Sequence, residues 1–196
     1  MTIHRALANL YWAMSRWTYR SEPIRKDGAG LVLGAPHTSN WDFVFMLAIC
    51  WRAGFSSKFL GKHQLFRAPF GRLMRALGGI PVDRRNPRGL VEEIVGRASR
   101  GERFYLVVTP EGTRGRSPYW KSGFYRIAMD ADLPVTLGYV DRSTMTAGLG
   151  PTIRLTGDVA ADMDRIRAFY VGKTGVRPTL GVEPRLHDEG EIPKAV

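Results

Sequence analysis

The run GLVLGA, residues 30–35, is short and apolar, and Pro36 follows it directly. A short apolar run that ends at a proline predicts a buried strand. A second run, FYLVV at residues 104–108, is an unbroken series of apolar and aromatic residues. It is the clearest strand pattern in the chain.

Helical and strand patterns alternate around these two runs. Helices are predicted at residues 2–20, 40–52, 70–77, 121–129 and 161–171, and another begins at Asn86-Pro87. Further strands are predicted at residues 58–61, 80–82, 134–140 and 152–156. This alternation predicts an α/β fold: a layered α/β/α single domain with a mostly parallel (mixed) sheet.

The domain organisation follows from the same patterns. Residues 1–22 are predicted to form an amphipathic N-terminal helix, residues 23–175 the main domain, and residues 176–196 a loosely ordered tail rich in Gly, Pro and charge. The N-terminal helix carries an aromatic-rich apolar face and an Arg-bearing polar face. Such a helix is typical either of a membrane interface or of docking on a core, and the sequence favours neither.

Composition excludes several classes of protein. The chain has 196 residues, 44% of them apolar, which is too hydrophobic for a disordered protein. Neither a membrane-spanning run nor a signal peptide is recognised, so a cytoplasmic location is expected. The single cysteine excludes an internal disulfide, and no Cys/His spacing indicates a metal site.

The charge is strongly positive. The net charge is +11, with 29 basic residues against 18 acidic ones. Between Lys58 and Arg88 the sequence has eight basic residues and one acid, Asp83. A chain of this kind suits nucleic acid, an anionic membrane surface or a phosphorylated small molecule, although a solvated basic face is the ordinary alternative.

Three unusual loops follow predicted strands, where ligands collect in open α/β sheets. In the first loop, Asp42 would lie in the first turn of the next helix, close enough for its carboxylate to orient the ring of His37 as a general base. In the second, Asp83-Arg84-Arg85 suits a phosphate. The third, Thr109-Pro110-Glu111-Gly112-Thr113-Arg114, offers backbone amides, a hydroxyl and a guanidinium to an anion. A capping Asp, an incidental His and an ordinary turn are the alternatives at these places.

Taken together, these segments resemble the glycerolipid acyltransferases of the 1-acylglycerol-3-phosphate (lysophosphatidic acid) acyltransferase family. The resemblance covers roughly residues 30–140 in four blocks. The first block is the His-x4-Asp pair, His37 and Asp42. The second is a longer stretch that runs from Gly61-Lys62 through Pro69, Gly71 and Gly79-Ile80 to Val82-Asp83-Arg84. The third is the sequence Pro110 to Arg114, and the fourth is the late strand Leu133-Pro134-Val135. Pro36, Gln64 and Thr109 depart from the family's common residues without touching the pair.

The resemblance implies an O-acyltransferase with a glycerolipid-acyltransferase-like fold. His37, oriented by Asp42, would deprotonate the hydroxyl of a lysophospholipid, which attacks an acyl thioester of CoA or acyl carrier protein directly. Arg84 would hold the acceptor's phosphate, with Lys62 and Arg114 as lesser candidates. Glu111 would help bind the glycerol, and backbone amides near Gly112 and Thr113 would receive the negative charge of the thioester oxygen.

The expected acceptor is 1-acylglycerol-3-phosphate, and another lysophospholipid or a lyso-aminolipid is the alternative. No metal or cofactor is expected besides the acyl thioester co-substrate. The basic face and the first helix would dock the enzyme as a peripheral protein on the anionic inner face of the cell membrane. A serine hydrolase that uses Ser39, a catalytically idle membrane- or carrier-binding protein, and a nucleic-acid binder are the rival hypotheses. No recognised nucleic-acid-binding motif supports the last of these, so no nucleic-acid partner is expected.

Overall fold

A computed structural model describes residues 3–82, 87–112, 118–187 and 189. Its helices are Ile3–Met14 (α1), Trp41–Ala53 (α2), Gly71–Ala76 (α3), Pro87–Ser99 (α4), Gly123–Asp130 (α5) and Val159–Tyr170 (α6). Its strands are Thr18–Tyr19 (β1), Gly30–Ala35 (β2), Ser57–Lys62 (β3), Gly79–Val82 (β4), Tyr105–Val108 (β5), Val135–Asp141 (β6) and Thr146–Ile153 (β7). Short 3₁₀ helices cover His63–Phe66 and Pro178–Leu180.

The described strands form one mixed sheet in the order β1-β7-β6-β2-β5-β3-β4. Neighbouring strands pair in parallel, except β6 and β7, which form an antiparallel hairpin. Strand β2 lies in the middle, between β5 and β6. The predicted α/β fold with a mostly parallel sheet is therefore confirmed, and β2, the run GLVLGA, is its central strand.

The two faces of the sheet are covered by different helices. Leu31 and Leu33 point to a core that contains residues of α4, α5 and α6, such as Ile94, Phe124 and Met163. Val32, between them in sequence, packs in a second core with residues of α2, while α1 packs against that core from outside. Because side chains alternate along a strand, β2 contributes to both cores and is buried on both faces.

Two predicted elements have different bounds in the structure. The N-terminal helix ends at Met14 rather than near residue 20, because the chain that follows joins the sheet as β1. The last strand is Thr146–Ile153 rather than 152–156. Its Gly148 and Gly150 weaken the strand pattern in the sequence, yet they are needed for close packing: a Cβ on Gly148 would lie 1.7 Å from the carbonyl oxygen of Arg20.

The other predicted elements are found within two residues of their expected ends. None of the helices in the described part of the chain has both the length and the apolar character needed to cross a membrane.

Candidate active site

The His37 and Asp42 side chains meet at the carboxyl end of β2. Nδ1 of His37 lies 3.1 Å from Oδ2 of Asp42, and the two side chains are 19% and 10% exposed. Because a carboxylate oxygen only accepts hydrogen bonds, Nδ1 carries the proton, and Nε2 is left as the nitrogen that can accept one. The pair therefore has the arrangement of an oriented general base.

Asp42 is held by the backbone of the loop that precedes α2. The amides of Thr38 and Ser39 each donate to Oδ2 of Asp42 at 2.8 Å. Asp42 also lies in the first turn of α2, where the helix dipole favours a negative charge. The side chain of Asn40 does not cap the helix, whereas the hydroxyl oxygen of Ser39 accepts from the amide of Trp41 at 3.2 Å. The local sequence thus fixes the carboxylate before any substrate binds.

Glu111 comes from the loop after β5, the parallel neighbour of β2, and it reaches the same place. Its Oε1 accepts the backbone N–H of His37 at 2.8 Å. The residue is only 1% exposed, and Oε2 has no hydrogen-bond partner among the described residues. Burial raises the pKa of the Glu111 carboxyl, and the amide of His37 partly opposes that shift. Glu111 therefore braces the loop that carries the base.

The other site residues predicted from the sequence are only partly described. Lys62 ends β3 and is exposed. Gly112 has a positive φ of 69°, and its N–H donates to the carbonyl of Thr109 at 3.0 Å, so that amide is engaged in the turn. Three predicted substrate-binding residues, Arg84, Thr113 and Arg114, lie outside the described residues, as does Asp83.

The alternative nucleophiles have unfavourable surroundings. Ser39 is 3% exposed, and its hydroxyl oxygen serves the N-terminus of α2. Cys50 is buried, and burial raises the pKa of its thiol to about 12, so it is not ionised near neutral pH. Among the described residues, no cluster of three or more His, Cys, Asp or Glu side chains could hold a metal ion. Neither Ser39 nor Cys50 is therefore placed as an activated nucleophile.

Sequence reasoning missed residues that come from far along the chain. The hydroxyl oxygen of Thr38 accepts the backbone N–H of Arg177 at 3.0 Å. The hydroxyl of Tyr170, on α6, is buried and donates to the carbonyl oxygens of Leu33 and Gly138 at 3.2 and 3.0 Å, which ties β2 to β6. Neither contact follows a recognisable motif, so the sequence offers no signal for them.

A cavity of about 380 Å³ lies beside residues 36–40, the loop between β2 and α2 that carries His37 and is called the catalytic loop here. Pro36 forms part of one wall, Trp120 and Tyr170 line it, and residues 172–174 form another part. A loop that borders open space has fewer packing partners on that side.

The buried carboxyl of Glu111 gives a testable pH dependence of stability. Its pKa is raised above 4.5 in the folded protein, so between the two values the folded state binds more protons than the unfolded state. The free energy of unfolding then falls as pH rises through that interval. The Glu111→Gln variant lacks this fall. Its free energy of unfolding, minus that of wild type, should therefore increase as pH rises from 4.5 and then level off. Urea denaturation between about pH 4 and pH 8 measures the difference.

The matched control is Glu92→Gln, on the exposed side of α4. Its stability difference from wild type should not follow the same course with pH. A Glu111→Gln difference that stays constant with pH would show that the buried carboxyl is ionised as easily as in the unfolded chain.

Comparison with known proteins assigns the family and supports the fold. A sequence model of the family described as Acyltransferase matches residues 16–137, which include His37, Asp42 and Glu111. The fold is similar to the crystal structure of the 1-acyl-sn-glycerophosphate (LPA) acyltransferase PlsC from Thermotoga maritima, with a TM-score of 0.57 and 18% identity. That match covers 86% of this chain and 75% of the other. No curated protein sequence matches the chain.

Proposed function

The chain belongs to the Acyltransferase family, and we propose that this O-acyltransferase moves a fatty acyl chain from an acyl thioester to the hydroxyl of a lysophospholipid. The preferred acceptor is 1-acylglycerol-3-phosphate, which gives phosphatidic acid. The observation that carries the proposal is the 3.1 Å contact between His37 and Asp42, in a loop that Glu111 braces from the neighbouring strand. The named activity of the PlsC structure, whose fold is similar, supports the same acceptor.

The proposed reaction is a direct transfer. Nε2 of His37 takes the proton of the acceptor hydroxyl while the oxygen of that hydroxyl attacks the thioester carbonyl carbon. The carbon–sulfur bond then breaks, and the thiolate leaves with the proton that the imidazolium returns. Asp42 stabilises that imidazolium, and the backbone amide of Thr113 is proposed to stabilise the negative carbonyl oxygen. No covalent acyl-enzyme is formed.

Basic residues are proposed to bind the phosphate of the acceptor. Arg84 follows β4 in the sequence, and Arg114 follows the turn that contains Gly112. Both lie outside the described residues, so their roles are proposed from their place in the sequence, whereas His37 lies at the carboxyl edge of the sheet. Arg suits this role because its planar guanidinium matches two phosphate oxygens. Lys62, exposed at the end of β3, is a further candidate at this edge.

Product identification tests the proposal. The purified chain is incubated with palmitoyl-CoA or a palmitoyl carrier protein, together with 1-acylglycerol-3-phosphate, a neutral-headgroup lysophospholipid or a lyso-aminolipid, and the products are identified by mass spectrometry. Phosphatidic acid as the main product is the expected result. Acylation of another lyso-lipid instead would replace the acceptor, and no acylated product from any pair would contradict the proposal.

The N-terminal helix is proposed to place the enzyme on an anionic membrane surface. One face of α1 packs on α2: Ala8 is 1% exposed, and the indole N–H of Trp12 donates to the carbonyl of Ala48 at 3.2 Å. A second apolar face has no partner among the described residues. Its members are exposed by 48–79%: Ile3, Leu7, Leu10 and Met14. The helix therefore docks on the core and still presents an apolar stripe, as an interfacial helix does.

The basic stretch adds a second surface of the same kind. Between β3 and β4 the chain exposes three large apolar side chains, Leu65, Phe70 and Leu73. Basic side chains lie among them and are exposed as well: Lys62, Arg67, Arg72 and Arg75. Apolar groups interleaved with positive charge suit insertion into the headgroups of anionic lipids, where each basic residue contributes about 1 kcal/mol.

Binding to vesicles tests the role of α1. Removing the whole helix would take Tyr11 and Trp12 away from Phe45 in the core. The test therefore changes only the outward face: Leu7→Gln combined with Leu10→Gln. Leu7 and Leu10 are 48% and 56% exposed, so a membrane would bury about half of each side chain. Because burying a whole leucine side chain is worth about 1.5–3 kcal/mol, the two halves together are worth about as much, and affinity for phosphatidylglycerol-containing vesicles should fall about tenfold to hundredfold. Sedimentation with those vesicles is the measurement. Val171→Gln, at a residue that is 77% exposed, is the control. Equal binding by the double variant and wild type would assign α1 to docking alone.

A further inference from the structure

The segment that follows α6 crosses the catalytic loop. Residues 172–177, called the strap here, leave α6 after Tyr170 and Val171 and run beside Pro36 and Thr38. The contact lies at Thr38, between the catalytic His37 and the amide of Ser39. The proposed proton transfer involves no residue of the strap.

Thr38 joins the strap to the catalytic pair. The residue is 1% exposed and takes part in two hydrogen bonds. Its backbone N–H donates to Oδ2 of Asp42 at 2.8 Å, and its hydroxyl oxygen accepts the N–H of Arg177 at 3.0 Å. Because the side chain and the amide belong to one residue, a shift of the Thr38 backbone away from the strap would break the bond to Arg177 and also displace the amide that donates to Asp42.

The strap is itself fixed to the sheet. The carboxylate of Asp141, at the end of β6, accepts the N–H and the hydroxyl of Thr174 at 3.3 and 3.2 Å. The N–H of Gly175 donates to the carbonyl of Val140 at 3.1 Å. Burial raises the pKa of Asp141, but hydrogen bonds from Thr144 and Ser143 outweigh that effect and lower it overall, so the anchor is ionised at neutral pH. The strap therefore has a defined position from which to hold Thr38.

The fit between strap and loop is close at one glycine. Gly175 has a positive φ of 66°, which L residues rarely adopt, and a Cβ there would lie 2.7 Å from Oγ1 of Thr38. Pro36 and strap residues 172–174 together border the cavity of about 380 Å³. Thr38 is thus held against the strap by the hydrogen bond from Arg177 and by the close approach of Gly175.

We propose that Thr38 is a positioning residue for acyl transfer, held by the strap so that its amide orients Asp42 and, through Asp42, His37. The inference deepens the proposed function, since its kinetic test rests on the acyltransferase activity. The geometry also gives a signature that needs no turnover. The proton between Nδ1 of His37 and Asp42 should have its own nuclear magnetic resonance signal, which loss of the His37 imidazole removes and thereby identifies.

The test compares Thr38→Val with Thr38→Ser in the full chain. Valine keeps the shape of the threonine side chain and removes the hydroxyl oxygen that accepts the N–H of Arg177. We therefore expect kcat to fall about tenfold with little change in KM, as after a small misplacement of a catalytic group. Serine keeps the hydroxyl and should restore most of kcat. The Nδ1 proton signal should move or broaden in Thr38→Val and return in Thr38→Ser. Thr152→Val, which unpairs the buried hydroxyl of Thr136, controls for lost stability alone.

Gly175→Ala approaches the same contact from the strap and keeps the test informative if Thr38→Val does not fold. If both changes act through this one contact, their effects on kcat and on the proton signal will not add in the double variant. Wild-type kcat and an unmoved signal in Thr38→Val, or no rescue by serine, would overturn the proposal. If the wild type proves inactive, the proposed function fails, and the proton signal alone decides the positioning role.

Discussion

His37→Ala should lower kcat for acyl transfer by about 10²–10⁴-fold, the usual cost of losing a positioned general base. KM for both substrates should change little, because the imidazole accepts the proton in the transition state and does not hold the substrate in the ground state. The fold should survive, since the side chain is partly exposed and the loop is braced through its backbone by Glu111. Steady-state assays with palmitoyl-CoA and 1-acylglycerol-3-phosphate, together with a thermal melt, measure both effects.

His187→Ala is the matched control. His187 is exposed, and its ring lies against Tyr119 rather than in the catalytic loop. That variant should keep wild-type kcat. A His37→Ala protein that is folded and retains more than about a tenth of wild-type kcat would remove His37 from the role of base, because a general base contributes at least about 10²-fold.

Asp42→Asn should lower kcat by up to about 10²–10⁴-fold, the loss expected for His37→Ala, because Asp42 acts through the His37 base. Oδ2 of Asp42 receives three donors: Nδ1 of His37 and the amides of Thr38 and Ser39. An asparagine oxygen in its place would keep these bonds but not the charge that stabilises the imidazolium. Loss of a negative charge from the first turn of α2 should also cost about 0.3–1 kcal/mol of stability.

Asp130→Asn, at the exposed C-terminal end of α5, is the matched control and should leave kcat unchanged. The measurement is kcat together with the free energy of unfolding in urea. A kcat for Asp42→Asn within about tenfold of wild type would assign Asp42 to capping the loop and α2, without a part in catalysis.

The central strands could be predicted because their sequences have one dominant feature each. Residues 30–35 and 104–108 are apolar without interruption, which suits strands buried on both faces. Their parallel pairing then places the loops after them at one edge of the sheet. That rule predicts that the loops carrying His37 and Glu111 lie at the same edge of the sheet. It does not predict that Glu111 accepts the backbone N–H of His37.

Elements that depend on distant partners could not be predicted in the same way. The helix pattern of residues 2–20 continues past Met14, but pairing of Thr18–Tyr19 with β7 ends the helix earlier. The glycines of β7 look unfavourable for a strand until the backbone that packs against them is known. Tertiary contacts override local preference at both places.

The C-terminal segment shows the same limit at the site itself. Its Gly, Pro and charge predict a loose tail, yet its described part makes specific contacts. Arg177 bonds Thr38 through its backbone, and Leu186 is 3% exposed and bridges to Trp120. A backbone N–H that positions a catalytic loop has no sequence signature, since every residue except proline has one. The roles predicted for Arg84, Thr113 and Arg114 remain predictions from the sequence.

The most direct test of direct transfer by the His37–Asp42 pair follows thiol release from palmitoyl-CoA on anionic vesicles, first without acceptor and then after 1-acylglycerol-3-phosphate is added. Direct transfer predicts no burst before the acceptor is added, then steady release that is lost in His37→Ala. A burst of about one thiol per enzyme before the acceptor is added would show a covalent acyl-enzyme and contradict the account.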